Sequence, residues 1–365
     1  MKVLALASYP VEAAATRYRL MQFVSPLKER DISLVVRPFL DSRTFANIYR
    51  RSALPQNIPA IFLSLLSRIR DFLVAGRFDA LLVQREAMLF GPPVFEWLSL
   101  KLGRIPLILD LDDATYIRYI SPTFGRMGSW LKFFGKTDEL ISWANVVTCG
   151  NRTIAEYVER KNKKAEIIPT VVDTDVFRPK AAESSDVPVI GWVGTHSTYP
   201  YLQKIFPVLQ RLAVTYDFHL KIVGAGVGKI DLPHIAIENL RWNLEREAED
   251  FQSFDIGLYP LDDALHNNWA AGKSGFKAIQ YMAVGIPYVV TPIGACAEIG
   301  NINETHFVAN DLDEWENSLS KLLNDARLRE QMGVAGRKYA LSNFTVPQQA
   351  DKLARVLRDA VLSER

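Results

Sequence analysis

The chain has 365 residues, of which 48% are hydrophobic and 23% are charged; this composition fits two globular domains and excludes a disordered or low-complexity chain. The net charge of +2 conceals an asymmetry, because residues 1–170 carry 24 Lys and Arg against 16 Asp and Glu, whereas the remainder carries 19 against 25. The basic first half predicts an acidic partner, such as a phosphorylated acceptor or an anionic membrane surface, and its scattered basic residues argue against nucleic acid.

The cysteines and histidines are too few and too scattered for a disulfide scaffold or a metal centre. Cys149 and Cys296 are the only cysteines, and the five histidines lack the spacing of metal ligands. The opening apolar run is too short for a signal peptide, and no run approaches about 18 apolar residues, so no membrane span is expected. We therefore expect a cytoplasmic protein without a metal, with a peripheral position at the inner face of the membrane as a further prospect.

Short apolar segments alternate with amphipathic segments along the chain, which predicts parallel strands covered by helices on both faces. In the first half, strands are predicted at 3–8, 33–39, 80–85, 106–112, 145–149 and 166–169, and helices at 17–29, 61–73, 94–102 and 153–160. In the second half, strands are predicted at 189–193, 219–223, 235–240, 256–259, 288–291 and 306–308. An interruption near 169–187 separates the halves. The prediction is an α/β protein of two doubly wound, Rossmann-like domains, 1–170 and 171–345, with a last helix within 346–365.

Charged residues follow strands of the first half, where ligands bind in open α/β sheets. Arg17 and Arg19 open the first predicted helix, and they either meet a phosphate or an acidic acceptor or remain surface charge. Asp112 and Asp113, ahead of Asp110, close a strand. One of these carboxylates either orients or deprotonates an acceptor hydroxyl, or the group caps the following turn.

Other segments of the chain leave two interpretations open. The apolar stripe at 61–73 is expected to pack in the core rather than on a membrane, whereas the aromatic and basic segment 116–134 fits membrane or acceptor contact as well as packing. Arg85 and Glu86 are interpreted as a structural ion pair. Trp242 follows a strand and either stacks on a nucleobase or packs in the fold.

The segment from Gly272 to Ala283 reads as a loop that enters a helix, with Ser274 as N-cap and the helix beginning near Gly275. Lysines near a helix N-terminus oppose its dipole, at a cost of about 0.3–1 kcal/mol each, unless an anion completes the arrangement. Lys273, Lys277 and Gln280 share one face at i, i+4 and i+7. Two cations and an amide suit a phosphate followed by a ribose, and the alternative is a solvated lysine face.

Four segments are similar to motifs of the retaining, GT-B-fold glycosyltransferases of family 4. They are IPTVVDTDVFRP at 168–179, LKIVGAG at 220–226, DIGLYPL at 255–261 and GKSGFKAIQYMAVGIPYVV at 272–290. The resemblance covers nearly the whole chain and is strongest after residue 169. It implies that the second domain binds a nucleotide-diphosphate sugar, that the first binds a glycan or lipid-linked acceptor in a cleft between them, and that the last helix returns to the first domain.

The site residues expected from the resemblance and from the residues themselves fall into three groups. Catalytic roles are expected for Lys273, Asp112 and Asp113, and acceptor or phosphate contacts for Arg17 and Arg19. Donor binding is expected for Gly194, Thr195, Trp242, Lys273, Ser274, Gly275, Phe276, Lys277 and Gln280. No metal and no cofactor beyond the nucleotide-sugar are expected, because protein cations stabilise the leaving diphosphate.

The chain departs from the family pattern at three places. The two family glutamates fall on Gly272 and Gln280; the glutamine retains a donor and an acceptor for the ribose, whereas the glycine loses a contact to the donor sugar. The family's Arg and Lys after the first strand of the second domain are replaced by the loop 194–198, whose N–H groups and hydroxyls could meet phosphate. The alternatives are a GT-B sugar-nucleotide epimerase and a degenerate, glycan-binding scaffold.

Overall fold

The computed structural model describes residues 1–48, 50–103, 105–118, 125–179, 187–262 and 269–363. The chain divides into two compact units. Unit 1 comprises Met1–Thr170, Gly272–Ser274 and Val346–Arg365, and unit 2 comprises Val171–Ala271 and Gly275–Thr345. Residues 180–186, which are part of the predicted interruption between the halves, lie outside the described residues. The predicted fold class, two doubly wound α/β units, is confirmed.

Unit 1 contains a parallel sheet of six strands in the order β2-β1-β3-β4-β5-β6. The strands are β1 (Lys2–Ala7), β2 (Ser33–Pro38), β3 (Ala80–Gln84), β4 (Leu107–Leu111), β5 (Val146–Cys149) and β6 (Ala165–Ile167). The helices are α1 (Ala14–Arg19), α2 (Val24–Lys28), α3 (Ser42–Asn47), α4 (Leu54–Ala75), α5 (Val94–Gly103), α6 (Gly125–Lys132), α7 (Lys136–Trp143) and α8 (Arg152–Glu159). The inner strands are fully buried, as expected for a sheet covered on both faces.

Unit 2 repeats the architecture with the strand order β12-β11-β10-β7-β8-β9. The strands are β7 (Val189–Val193), β8 (His219–Val223), β9 (Ala236–Leu240), β10 (Ile256–Tyr259), β11 (Tyr288–Val290) and β12 (His306–Val308). The helices are α9 (Tyr199–Lys204), α10 (Phe206–Leu212), α11 (Glu247–Gln252), α12 (Phe276–Ala283), α13 (Leu312–Asn324) and α14 (Ala326–Asn343). In both sheets the strand order reverses beside the first strand of the unit, which is where such sheets bind ligands.

The last helix, α15 (Val346–Leu362), belongs to unit 1. Its buried face includes Leu353 and Leu357, and at its surface Asp351 pairs with Arg30 at 2.6 Å. The predicted return of this helix to the first domain is confirmed. Among the described residues, none of the helices combines the length and the apolar character that crossing a bilayer requires.

His306 couples the stability of unit 2 to pH. Its ring is buried, stacks on Tyr288 with centroids 4.8 Å apart, and has Nδ1 2.9 Å from the Thr305 hydroxyl. Burial lowers the pKa of His306 from 6.5 to about 4. The unfolded chain therefore binds this proton more tightly, so the stabilisation by the neutral ring is complete above about pH 6.5 and is lost as the pH falls towards about 4.

We therefore predict that His306→Phe, which keeps an aromatic ring against Tyr288, flattens the pH dependence of stability. Wild type should lose up to about 3 kcal/mol of unfolding free energy between about pH 6.5 and about pH 4 through this one group. Urea unfolding at several pH values measures the loss. The exposed His219→Phe is the matched control, and an equal flattening in both variants would contradict the assignment.

Candidate active site

Arg19 and Asp110 form a buried ion pair at the carboxyl edge of the unit 1 sheet. The Arg19 Nε donates to Asp110 Oδ2 at 3.0 Å, a second nitrogen donates to Oδ1, and a third donates to the carbonyl of Ile168. The Thr148 hydroxyl donates to the same carboxylate at 2.6 Å. Burial by itself would lower the pKa of the Arg19 guanidinium, but the neighbouring Asp110 carboxylate outweighs burial and raises this pKa above its ordinary value. The expectation that Arg19 meets a phosphate or an acceptor is therefore corrected, because its donors are used inside the fold.

Asp112 is also held by a guanidinium. Arg85 donates to its two oxygens at 2.5 and 2.8 Å, and the Gln84 amide donates at 2.9 Å. Burial by itself would raise the pKa of Asp112, but Arg85 outweighs burial and holds it below the ordinary value. Such a carboxylate is a weak proton acceptor, which argues against Asp112 as a catalytic base, whereas its role in orienting an acceptor hydroxyl stays a prediction. The expected pairing of Arg85 with Glu86 is also wrong, because Glu86 pairs with Lys132 and Lys136.

Asp113 and Arg17 remain closer to solvent. The Asp113 carboxylate accepts from the N–H of Ala114 at 3.0 Å and lies 3.7 Å from the Arg85 guanidinium. It therefore caps its turn, which was one of the two interpretations, while 17% of its side chain stays exposed. Arg17 donates to the carbonyls of Val11 and Glu12, both at 3.1 Å. The predicted acceptor roles of Asp113 and Arg17 stay predictions.

The segment Gly272–Ser274 is bound within unit 1 by Asn151. The Asn151 amide nitrogen donates to the carbonyls of Gly272 and Lys273 at 3.1 and 2.9 Å, and its oxygen caps α8 by accepting from the Ile154 N–H at 2.8 Å. A Cβ on Gly272 would lie 2.2 Å from the Cβ of Ala114. The glycine therefore permits a close approach that a glutamate would prevent. Lys273 lies in this segment, half-buried, and not on the helix.

Helix α12 begins one residue later than predicted. Its N-cap is Gly275, whose φ of +67° is left-handed, and no side chain caps the helix. A Cβ at this position would also lie 2.2 Å from Ile299 Cδ1, so glycine is required on two grounds. The expectations that Ser274 is the N-cap and that Lys273 shares the helix face are therefore wrong. The face retains Lys277 and Gln280, one turn apart.

Lys277 lies at the carboxyl edge of the unit 2 sheet. Its Nζ is 5.2 Å from the ring centroid of Trp192 in β7 and 5.2 Å from that of Tyr259, the last residue of the neighbouring strand β10. Two aromatic faces thus hold the ammonium in the first turn of α12, where an anion gains from the helix dipole. Gln280 is buried, and its Nε2 has no hydrogen-bond partner among the described residues. A buried donor of this kind calls for an explanation, and a bound ligand is one.

The turns after β7 and β8 approach closely. Gly224 has a φ of +83°, and a Cβ on it would lie 2.3 Å from the carbonyl oxygen of Gly194 and 3.4 Å from the Cβ of Trp242. A pocket of about 380 Å³ lies beside this turn, lined by Gly226, Val227, Gly228, Asn239, Leu240 and Arg241. The structure thus brings together Gly194 and Trp242, two residues predicted to bind the donor, next to a pocket large enough for part of a nucleotide.

The loop after β7 uses part of its predicted phosphate ligands within the loop itself. The N–H of Thr195 donates to the Thr198 hydroxyl at 3.0 Å, and the Thr195 hydroxyl lies 2.8 Å from that of Ser197. These contacts shape the turn into α9. The predicted donor-binding roles of Gly194, Thr195 and Lys277 stay predictions.

Sequence reasoning missed Asn151, Trp192 and Tyr259. The pattern Asn151-Arg152-Thr153 after a strand indicated an N-cap, but nothing local indicated that the same amide reaches a segment 121 residues away. The two aromatic residues look like ordinary strand residues, because strands favour aromatic side chains. Their role follows from the pairing of β7 with β10.

Two doubly wound units, with a cation and a buried amide at the carboxyl edge of the second, define a chain with the GT-B fold of glycosyltransferases. Solved structures with this fold superpose over nearly all of it. The superposition on sucrose-phosphate synthase from Thermosynechococcus elongatus has a TM-score of 0.68 at 13% identity and includes 99% of each chain. That on a glycosyltransferase from Rickettsia africae has a TM-score of 0.70 at 13% identity and includes 99% of this chain and 98% of the other. That on Anabaena HepE in complex with UDP-glucose has a TM-score of 0.68 at 14% identity and includes 98% of this chain and 100% of the other.

Residues 187–325 match the family model described as Glycosyl transferases group 1. A D-inositol 3-phosphate glycosyltransferase from Corynebacterium diphtheriae is 30% identical over 109 residues, which are 29% of this chain and only a quarter of that relative's length. The range matched by the family model includes Gly194, Trp242, Lys277 and Gln280.

Proposed function

We propose that this protein is a glycosyltransferase that moves a sugar from a nucleotide-diphosphate sugar to a hydroxyl of a glycan or lipid-linked acceptor. The observation that carries the proposal is the ammonium of Lys277, held between Trp192 and Tyr259 at the N-terminus of α12. It lies one turn before Gln280, whose buried Nε2 has no hydrogen-bond partner among the described residues. These residues lie within the range 187–325 that matches the family model described as Glycosyl transferases group 1. The arrangement suits a diphosphate followed by a ribose hydroxyl.

The proposed transfer retains the anomeric configuration and passes through an oxocarbenium-like transition state. Negative charge then develops on the departing diphosphate, and Lys277 with the first turn of α12 stabilises it, joined by Lys273. A metal is not required in this scheme, because protein cations supply the positive charge. On the acceptor side the proposal retains Asp113, because its side chain is 17% exposed, against 6% for Asp110 and 8% for Asp112, and it lies 3.7 Å from the Arg85 guanidinium.

The donor to test first is a UDP-sugar, because structures of Anabaena HepE contain UDP-glucose or UDP. The proposed setting is polysaccharide or cell-envelope biosynthesis in the cytoplasm, where a lipid-linked acceptor would bring the protein to the anionic inner face of the membrane. The basic balance of residues 1–170 supports an acidic acceptor or surface.

A non-catalytic, glycan-binding scaffold is the second candidate. The observation that favours it is the contact of Gly272 with Ala114, which leaves no room for the family glutamate at this position. The loop at 194–198 likewise lacks the family's two cations. A scaffold that lost catalysis need not hold a nucleotide.

Thermal unfolding with UDP, GDP, ADP and TDP separates these candidates. An enzyme should be stabilised selectively by one nucleotide, by about 2.7 kcal/mol at a concentration one hundred times its dissociation constant. Release of that nucleotide from its sugar conjugate should then be detectable when acceptor extracts are added. Indifference to all four nucleotides would contradict the proposal and support the scaffold.

We predict that Asn151→Ser lowers turnover by about 10- to 100-fold while stability changes little. Serine can still cap α8, but it cannot donate to the carbonyls of Gly272 and Lys273. The backbone that carries the Lys273 side chain is then no longer held in place. Steady-state kinetics and thermal unfolding measure the two effects. The control is Asp41→Ser, at another N-cap of unit 1, which accepts from Thr44 at 2.7 Å. Unchanged turnover in Asn151→Ser would show that the tether is not needed.

A further inference from the structure

Helix α4 has a broad apolar face, and only part of it is covered. Ile61 and Leu65 pack against a cluster that contains Phe39, Leu40 and Met88. Beside them runs an exposed stripe at i, i+4, i+8, i+11 and i+15, formed by Ile58, Phe62, Leu66, Ile69 and Leu73, each between 45% and 72% exposed. The expectation that this segment packs wholly in the core is therefore corrected.

The outer stripe of α4 cannot turn inward. Arg68, on the inner side, is buried and donates to the carbonyls of Ala7 and Ala87 at 2.6 and 2.8 Å and to Asp71 at 2.9 Å. Rotation of the helix would strip this buried guanidinium of its carbonyl partners Ala7 and Ala87, which is strongly unfavourable. The exposure of the stripe is thus built into the fold of unit 1.

Helices α5 and α6 are linked to the covered part of α4 and carry further exposed apolar residues. The inner cluster of α4 includes Leu89 and Phe90, together with Phe95 of α5, and the N–H of Gly91 donates to the carbonyl of Leu131 in α6 at 2.8 Å. The exposed apolar residues of these two helices are Val94, Trp97, Leu102, Met127, Trp130 and Leu131. Trp130 is 78% exposed, which is unusual for so large an apolar side chain.

The charges on this surface have one sign. Among the described side chains of α4, α5 and α6, the exposed charged residues are Arg70, Lys101 and Arg126, whereas the acids Asp71 and Glu96 are buried. Apolar residues bordered only by cations match an anionic lipid surface. A second copy of the chain fits less well, because an isologous contact would set these cations against their own copies with no acid to pair them.

We infer that the surface formed by α4, α5 and α6 docks on an anionic membrane, with the outer stripe of α4 in the acyl boundary and Trp130 at the headgroups. An exposed apolar stripe suits a lipid surface, and tryptophan prefers the boundary between apolar and wet layers. The inference concerns unit 1 and does not depend on sugar transfer. It names the surface by which a lipid-linked acceptor would be reached.

Vesicle flotation of the full chain tests this inference. Vesicles of phosphatidylcholine with phosphatidylglycerol should retain about tenfold more protein than phosphatidylcholine alone, and high salt should reduce the difference. Phe62→Gln/Leu73→Gln should lower the retention about tenfold. Val214→Gln/Val334→Gln, which changes two apolar residues of unit 2 that are 80% and 66% exposed, should leave it unchanged.

A second readout does not rely on these variants. Brominated acyl chains should quench tryptophan fluorescence, and most of this quenching should disappear in Trp130→Phe. The inference is overturned if anionic vesicles retain no more protein than neutral ones, if the α4 variant binds like wild type, or if the chain forms a dimer that the α4 variant dissociates. No donor is present in these assays, so their outcome is separate from that of the nucleotide panel.

Discussion

Lys277→Ala should lower turnover by about two to three orders of magnitude, the loss expected when one preorganised group that stabilises developing charge is removed. The physical reason is the position of its ammonium, 5.2 Å from the centroids of both Trp192 and Tyr259, where a departing diphosphate would gain a cation in addition to the helix dipole. Steady-state kinetics with the nucleotide-sugar found in the panel measures the effect. The same variant should lose most of the thermal stabilisation by the free nucleotide.

A matched lysine separates this electrostatic role from simple packing. Lys321 of α13 lies 5.6 Å from the ring centroid of Phe307, also in unit 2, and Lys321→Ala removes a similar cation–π contact away from the proposed site. Each variant should lose about 0.5–2 kcal/mol of stability. If Lys277→Ala kept turnover within a few-fold of wild type, or if both variants lowered it equally, the phosphate assignment would be wrong.

Asp110→Asn should destabilise unit 1 by about 3–5 kcal/mol, the usual loss when one partner of a buried ion pair is removed. The amide keeps the size of the carboxylate but leaves the guanidinium of Arg19 buried without its counter-charge, and only 2% of the Arg19 side chain is exposed. Urea unfolding at neutral pH measures the loss. Nucleotide-induced stabilisation should be unaffected, because the pair belongs to unit 1.

An exposed pair of the same unit provides the comparison. Asp351→Asn breaks the contact with Arg30 at 2.6 Å, and because the Asp351 carboxylate is 62% exposed, solvent should compensate for most of the loss. Similar unfolding free energies for the two variants would mean that Arg19 is not held as described. In that case its predicted role toward a phosphate or an acidic acceptor would have to be considered again.

The sequence predicted the strands well because each is a short apolar run bounded by turn residues. The strand predicted at 106–112 is β4 at Leu107–Leu111, and that predicted at 256–259 coincides with β10. It also predicted that Trp242 follows a strand, and this residue does follow β9. The local sequence pattern is enough to predict these positions, because the alternation of strands and helices determines which ends of the strands share an edge of the sheet.

The partners of the charged residues could not be predicted, because a carboxylate after a strand looks the same whether it meets a ligand or an arginine. Asp112 and Arg85 are 27 residues apart and meet only because β3 pairs with β4. The orientation of helix α4 could not be predicted either. Its apolar periodicity identified a helix, but only the buried anchor Arg68 decides which side faces inward.

The grouping of Gly272–Ser274 with unit 1 has a practical result for anyone who wishes to recombine this protein. The chain passes from one unit to the other four times, after Thr170, Ala271, Ser274 and Thr345, so no single cut separates the units. In a chimera whose unit 1 comes from another protein, that unit must contain an asparagine equivalent to Asn151. Otherwise the transplanted half will lack the anchor for the three-residue strap, and the lysine within that strap will lose its fixed place.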